Sequence, residues 1–312
     1  MKLNSLSIKD KKLFDGFLGL TGHVLSAYTF ENIYIWKGLF NICWAVIDGS
    51  LCVFFKDKTS CFMYLPPLAE KVKAEAVKKS FVVMNDFNKN IAISRIENVE
   101  EGSLSFYQNM GYEYRKISEE YLCRRTDMAE LRGDTFKSKR SAVNYFVKHY
   151  RSEYMPFSPE AGKECLALYG EWAKNRRVKN TDRIYCGMLD DNYSCLKTLL
   201  CNYDGLNFEG RIVRVKSRVK GFTFGFGLNK DTFCILYEIT DLNIKGISQF
   251  IFQKFCGDVA GYKYINIMDD SELENLRKVK LSYHPAKLIP AYIVKVAHLA
   301  KPPSVRYTWG DL

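Results

Sequence analysis

The apolar and polar positions of this chain fall into two successive patterns of the same kind. In the first, two β-rich runs over 40–47 and 50–55 flank Asp48-Gly49, a pair that favours a two-residue hairpin turn. A strand over 60–65 follows and ends at Pro66-Pro67. Residues 68–81 predict a helix with proline just ahead of its start. FVVM (81–84) and IAISRI (91–96) read as strands. Helical spacing returns over 103–112, with a stop at Gly111, and 112–117 reads as a strand.

The second pattern repeats that order. Runs over 207–215 and 219–227 predict a hairpin turning near Lys216 to Arg218. This reading puts the basic residues Arg211, Arg214, Lys216, Arg218 and Lys220 mostly around a turn rather than along one strand face. A strand over 232–240, a helix over 245–256, a strand over 262–268, a short helix over 271–278 and a strand over 291–298 complete it. Each half thus reads hairpin, strand, helix, strand, helix, strand, with no obvious residue identity between halves. That order predicts an α/β (α+β) fold of two tandem lobes, with mixed sheets flanked by helices.

Between the halves, Val143, Phe146, Val147 and Tyr150 recur at helical spacing, while Lys137, Lys139, Arg140, Lys148 and Arg151 supply charge. This predicts an amphipathic basic helix. Ser158-Pro159-Glu160 then opens another helix, whose buried stripe is Cys165, Leu168, Tyr169 and Trp172. A second basic cluster covers 174–183. No low-complexity linker separates the halves, so they are expected to pack tightly. The division expected is 1–134, a connecting helix in 135–157, and 158–312.

Composition narrows the function classes. The 312 residues are 47% hydrophobic and 14% aromatic, which excludes a disordered or fibrous chain. No apolar run approaches the roughly 20 residues that span a bilayer. The amphipathic, charge-broken start lacks the apolar middle of a secretory signal. Ten cysteines without a C-x-x-C pair, with four histidines, give no metal spacing and predict reduced thiols in a cytoplasmic protein. The formal net charge of +11 raises the expectation of an anionic partner: tRNA, a phosphorylated cofactor or an anionic lipid surface.

The densest chemistry lies in 262–285, where a short apolar strand runs into Asp269 and Asp270, then Arg277, Lys278, Lys280, Tyr283, His284 and Pro285. Three stretches carry a resemblance: 28–36, 137–146 and 276–285. With the order of elements, they make the chain resemble the C-terminal domain family of phosphatidylglycerol lysyltransferase, tandem acetyltransferase-like (GNAT) folds joined by a basic helix. Where members read something like Asn-Arg-Glu-Glu-Asp-Leu-Gly, this chain reads 266–272 as Asn-Ile-Met-Asp-Asp-Ser-Glu. Arginine, the first glutamate and glycine are replaced, and two carboxylates remain.

The resemblance implies transfer of an acyl or aminoacyl group, from aminoacyl-tRNA or acyl-CoA, to an amine or hydroxyl acceptor. A lipid acceptor is not required. In this fold the donor's phosphates sit at the N-terminus of the helix after the fourth strand. That implies Asn243, Lys245 and Gly246 here, since Pro66-Pro67 offers no N–H in the first half. Glu238, near the end of its strand, is the candidate general base, or else an ion-paired carboxylate. Asp269 and Asp270 are candidates for holding an ammonium group, or for capping the next helix. Asn266, Arg277, Lys278 and Lys280 are candidates for substrate binding, or a solvated face. Tyr283 is a candidate proton donor, or core packing. Lys137, Lys139, Arg140 and Lys148 are candidate tRNA or anion contacts, or a solvated helix face. The competing function is a catalytically silent ligand- or tRNA-binding protein of the same fold.

Overall fold

The computed structural model describes residues 2–297. In chain order its elements are β1 (Asn4–Ser5), α1 (Lys11–Leu18), α2 (Phe30–Ile35), β2 (Asn41–Ile47), β3 (Ser50–Lys56), β4 (Cys61–Met63), α3 (Ala74–Phe87), β5 (Arg95–Glu100), α4 (Leu104–Asn109), β6 (Tyr112–Arg124) and α5 (Arg125–Glu130). There follow α6 (Lys137–His149), β7 (Ser152–Pro156), α7 (Gly162–Lys179), α8 (Arg183–Cys201), β8 (Glu209–Val215), β9 (Arg218–Gly227), β10 (Thr232–Thr240), α9 (Ile247–Asp258), β11 (Tyr264–Asn266), α10 (Glu274–Leu281) and β12 (Lys287–Val296). His298, the end of the last expected strand, lies outside the described residues.

Both expected hairpins form. Asp48 (φ 49°) and Gly49 (φ 84°) turn β2 into β3. Lys216 (φ 51°) and Ser217 (φ 62°) turn β8 into β9 in the same left-handed region, without a glycine. The twist of paired strands favours turns of this hand.

Several expectations shift, among them the strand expected over 91–96, which starts only at Arg95 after a 3-10 turn over Ile91–Ile93. FVVM lies on α3, not in a strand, because Val77, Phe81 and Met84 continue one buried helical stripe while Val82 faces solvent. That helix starts at Ala74 rather than near 68, because Leu68 is held extended by a two-way backbone bridge to Leu51 (both 2.9 Å). The strand expected to end at 117 continues as β6 to Arg124. Along α6, Val143 and Phe146 are buried as expected, but Val147 points outward.

Among the described residues all twelve strands join one sheet, in the order β1-β2-β3-β4-β5-β12-β6-β11-β10-β9-β8-β7. The last strand of each half crosses over. β12 pairs with β5 of the first half, and β6 pairs with β11 of the second. β6 and β12 also run antiparallel to each other, from Leu122 opposite Lys287 to Tyr112 opposite Val296. The largest apolar cluster draws Phe30, Ile33 and Phe55 together with Leu196, Leu199, Phe222 and Phe224, so the halves share one core.

Within each half, two parallel strands meet only briefly. β4 and β5 pair at Met63 and Ile96 alone. β10 and β11 pair from Thr232–Tyr264 to Cys234–Asn266. Beyond Cys234, β10 follows β9, with an irregularity between Ile235 and Tyr237. Past Asn266 the chain stays with β6, through Ile267 N to Tyr121 O (3.0 Å) and Tyr121 N to Met268 O (3.2 Å). A wedge opens between them.

Candidate active site

Side chains from four elements enter the β10–β11 wedge. Glu238 comes from β10, and Ser248 in the first turn of α9 donates to its Oε1 at 2.6 Å. Glu238 keeps part of its surface open although protein surrounds it on most sides. Desolvation is the largest influence on it; Ser248, Lys139 and Lys280 pull the other way, and its carboxyl is pushed up to about 7. A group at that value exchanges protons near neutrality.

Lys280 projects from the last turn of α10 into the splayed strand end. Its Nζ donates to Ile267 O at 2.5 Å and to Asp269 O. Burial lowers its amine to about 8, against the opposing pull of Asp269, Glu120 and Asp270. Two of the three ammonium protons are thus committed to backbone carbonyls just past the end of β11. Lys139, from α6, donates to Ser282 Oγ (2.8 Å) and lies 4.0 Å from the Tyr283 ring centre. Desolvation lowers its amine too, with Glu238 opposing. Tyr283 is buried against Phe252 (4.6 Å between ring centres), and burial, then Glu238, raises its phenol well above the usual range.

At the rim, Asp270 Oδ2 accepts from Tyr121 Oη at 2.5 Å and its Oδ1 from Glu272 N at 3.0 Å. Asp269 Oδ1 accepts from Ser271 N (2.9 Å) and Ser271 Oγ (3.2 Å). Neither caps α10, whose preceding residue is Leu273 with no side-chain cap. Both instead close turns within 268–272, where Met268 (φ 62°), Ser271 (φ 50°) and Glu272 (φ 59°) occupy the left-handed region.

The family model that matches this chain is described as phosphatidylglycerol lysyltransferase, C-terminal, and spans residues 20–295. The chain belongs to that family. A conserved protein of unknown function from Bacteroides thetaiotaomicron has 25% identity and a TM-score of 0.83, over 94% of this chain and 99% of that one. L-PGS from Bacillus licheniformis has 15% identity and a TM-score of 0.67, over 95% and 94%. A tandem GNAT protein from the clavulanic acid biosynthesis pathway has 9% identity and a TM-score of 0.52, over 95% and 99%. No curated protein matches the chain in sequence. The expected fold is borne out: mixed α/β, tandem and GNAT-like, of the acyl- or aminoacyl-transferase type.

Glu272 sits at φ 59°, in the left-handed region that favours glycine. Ile267 is buried in the apolar cluster that includes Tyr283. Asn266 is fully buried and unavailable to a ligand. Its Nδ2 donates to Glu120 Oε2 (2.5 Å), and its Oδ1 accepts from Met268 N (2.8 Å).

The remaining expected residues divide by position. Lys137 and Lys148 are exposed on α6. Arg140 folds back onto Leu131 O and Gly133 O (2.5 Å to the latter), ahead of its own helix. Lys139, expected on the helix surface, turns into the wedge. Arg277 and Lys278 face solvent, Lys278 beside Glu274 at 3.4 Å. Asn243 N and Nδ2 both bond Asp241 Oδ1 (2.9 and 3.1 Å), so the turn's own carboxylate holds the amide a phosphate would use. Lys245 lies over Tyr145 (4.5 Å). Gly246 (φ 86°) lets α9 approach α6 so closely that a Cβ there would meet Ala142 O at 2.1 Å.

Sequence reasoning missed Glu120, Tyr121, Ser248 and Ser282. Glu120 is a buried carboxylate on β6, accepting from Ser26 N (2.9 Å), Ser26 Oγ (2.5 Å) and Asn266 Nδ2 (2.5 Å). Its segment, Ser118-Glu119-Glu120, interrupts the apolar alternation and hides the strand. Among the described residues no group of three or more His, Cys, Asp or Glu side chains is placed to hold a metal, and no helix is long and apolar enough to cross a membrane.

Proposed function

We propose that this protein transfers an aminoacyl group from an RNA-bound ester to an amine acceptor, with the β10–β11 wedge as the reaction site. The observation that carries this is Glu238: a part-open carboxylate, poised near neutrality, facing two partly desolvated lysines at a strand splay. Glu238 takes the proton of the attacking ammonium. The new N–C bond forms as the ester C–O bond breaks, the departing oxygen takes a proton from Lys280 or Tyr283, and the second proton of the attacking nitrogen returns to that donor. Lys280 keeps one N–H free of the carbonyls for that purpose, and positive charge beside the wedge stabilises the oxyanion. Asp269 and Asp270 at the rim suit the ammonium of the aminoacyl group or of the acceptor. The C-terminal lobe (158–312) and the connecting segment (135–157) thus supply the reacting groups, and the first lobe (1–134) supports them through β6.

Two features favour an RNA-bound donor over acyl-CoA. The β10–α9 turn is filled by Asp241 and covered by α6, which leaves little room for a pyrophosphate. Lys137 and Lys148, exposed on α6 and without a carboxylate partner among the described residues, are available to a polynucleotide backbone. Ten unpaired cysteines suit a reducing cytoplasm. A binding role without chemistry is the second reading, favoured by Ile267 lying buried where the family pattern has arginine.

The test is a transfer assay with labelled aminoacyl-tRNA or acetyl-CoA and a panel of amines. Transfer from the RNA ester is expected, rising as pH passes about 7 and lost in Glu238→Gln. Binding of donor without transfer at any pH would instead establish the silent reading.

A further inference from the structure

A cleft of about 520 Å³ lies outside the wedge, beside the turn that follows β10. It is lined by Tyr150 and Ile244 on the apolar side, and by Lys216, Arg218, Lys220 and Asp241 on the charged side. Its floor is the β8–β9 turn. We infer that this cleft binds a phosphorylated adenosine, the end that aminoacyl-RNA and CoA share. The inference deepens the proposed transfer by placing the donor's nucleotide here rather than on the N-terminus of α9.

The charge balance supports an anionic ligand. Lys220 is committed to Asp241 at 2.7 Å. Arg214 is committed to Glu164, through two contacts of 2.7 and 3.1 Å. Among the described residues neither Lys216 nor Arg218 lies within ion-pair distance of a carboxylate. Two unmatched cations on one cleft suit a phosphate, which an arginine can grip with two N–H groups. The Tyr150 ring and Ile244 offer the apolar wall that a purine needs. The volume lies within the ordinary range of small-ligand sites, roughly 300–1,000 Å³.

The turn is built to present those cations. Lys216 and Ser217 both hold positive φ, where glycine would sit without strain. Neither residue is glycine, so the turn carries backbone strain. The strain is held in place by Arg214, whose guanidinium donates to Ser217 O at 2.9 Å, and by Glu164, which accepts from Val219 N at 3.1 Å. A braced, strained turn keeps Lys216 and Arg218 at a fixed spacing.

Position links cleft to wedge. Asp241 lies three residues beyond Glu238, about 10 Å along an extended chain. Ile244 and Ser248 bracket the start of α9, one facing each site. An adenosine in the cleft can therefore reach the wedge with an ester on its sugar or on a short arm.

The experiment titrates the full-length protein with adenosine 3′,5′-bisphosphate, CoA and an RNA hairpin ending in single-stranded CCA, at several salt concentrations. Lys216→Ala/Arg218→Ala is expected to weaken each probe that binds by tenfold or more. It should also lower the salt slope for the RNA by about two. Lys216→Gly relaxes the turn and so folds at least as well, and should show the single-cation loss. Lys78→Ala, on an exposed face of α3, should bind as wild type. RNA binding without CoA binding assigns the donor to RNA, and the reverse assigns it to CoA; either supports the site. Failure of all three probes, or unchanged affinity in the double variant, overturns it. Cleft binding with no transfer sinks the proposed chemistry alone. Transfer with an unchanged donor KM in the double variant sinks the cleft alone.

Discussion

The wedge between β4 and β5 and the wedge between β10 and β11 arise from the same strand order, yet they are filled in opposite ways. In the first, Asn98, itself at φ 51°, donates its Nδ2 to Tyr64 O (2.9 Å), and Tyr28 Oη donates to Asn98 O (2.8 Å). An amide and a phenol thus replace the missing ladder with uncharged bonds, and Pro66 and Pro67 are buried beside it. In the second, two carbonyls just past the end of β11 are met by the Lys280 ammonium, and Glu238 faces it with Lys139 nearby. Both solutions satisfy the backbone where parallel strands part. Only the second leaves groups that titrate near neutrality and remain partly open. Both splays leave a gap in the ladder, and the side chains supplied by the returning chain decide whether uncharged or charged groups fill it.

The sharpest way to break this contrast is Glu238→Gln. If the charged wedge is the reacting one, transfer falls about 10²–10⁴-fold, as for loss of a general base, while the melting temperature holds or rises because a desolvated carboxylate is gone. Equal activity in the variant, read in the same labelled-ester assay, would remove the distinction between the wedges.

The seam between them comes next. Glu120→Leu leaves Ser26 and Asn266 without their buried acceptor, and about 1–3 kcal/mol is expected for each group left unpaired. Urea unfolding should show that loss as a single transition, since β6 joins both halves. In the sealed wedge, Asn98→Ala strands Tyr64 O and is expected to lower stability by about 1–3 kcal/mol. Its activity should stay near wild type. A large loss of transfer with little loss of stability would place chemistry in the first half.

Titration separates the wedges further. Glu238, raised from 4.5 to about 7, gives stability that is full below about 4.5 and lost as pH rises through about 7. Lys280, lowered from 10.5 to about 8, gives stability that is full above about 10.5 and lost as pH falls through about 8. Stability should therefore dip between about 7 and 8 relative to either side, as far as these two groups govern it. Glu238→Gln should flatten the acid limb and Asn98→Ala should not, as followed by urea unfolding at fixed pH values. The smallest effect expected is Glu272→Gly, which relieves a positive φ and should stabilise the protein by about 0.5–1 kcal/mol in the same measurement.

Much of this was legible along the chain because the strands and helices announce themselves by local period. Asp48-Gly49 marked its turn, and Cys165, Leu168 and Tyr169 marked the buried face of α7. Glu238, Lys280 and Tyr283 were visible as chemistry at the end of a strand and in a cationic run. Their convergence was not, because no local pattern states that two parallel strands part after Cys234 and Asn266. Lys139 illustrates the limit. It belongs to a basic run that reads as a solvated face, and only the approach of α6 to Gly246 turns it inward. Glu120 was hidden for the opposite reason: a buried carboxylate breaks the alternation by which a strand is recognised.

By itself the sequence determined the order of elements, their repetition, the two hairpins and the family resemblance. These follow from short-range sterics and from apolar period, which act over a few residues. Tertiary structure decided the exchange of β6 and β12 between halves, the burial of Asn266, the closure of the first wedge and the charging of the second. Those outcomes depend on which distant strand completes an edge and which side chain reaches an unpaired carbonyl. Such contacts join residues as far apart as Ser26 and Glu120, or Lys139 and Ser282, and become defined only when the whole sheet has closed around them.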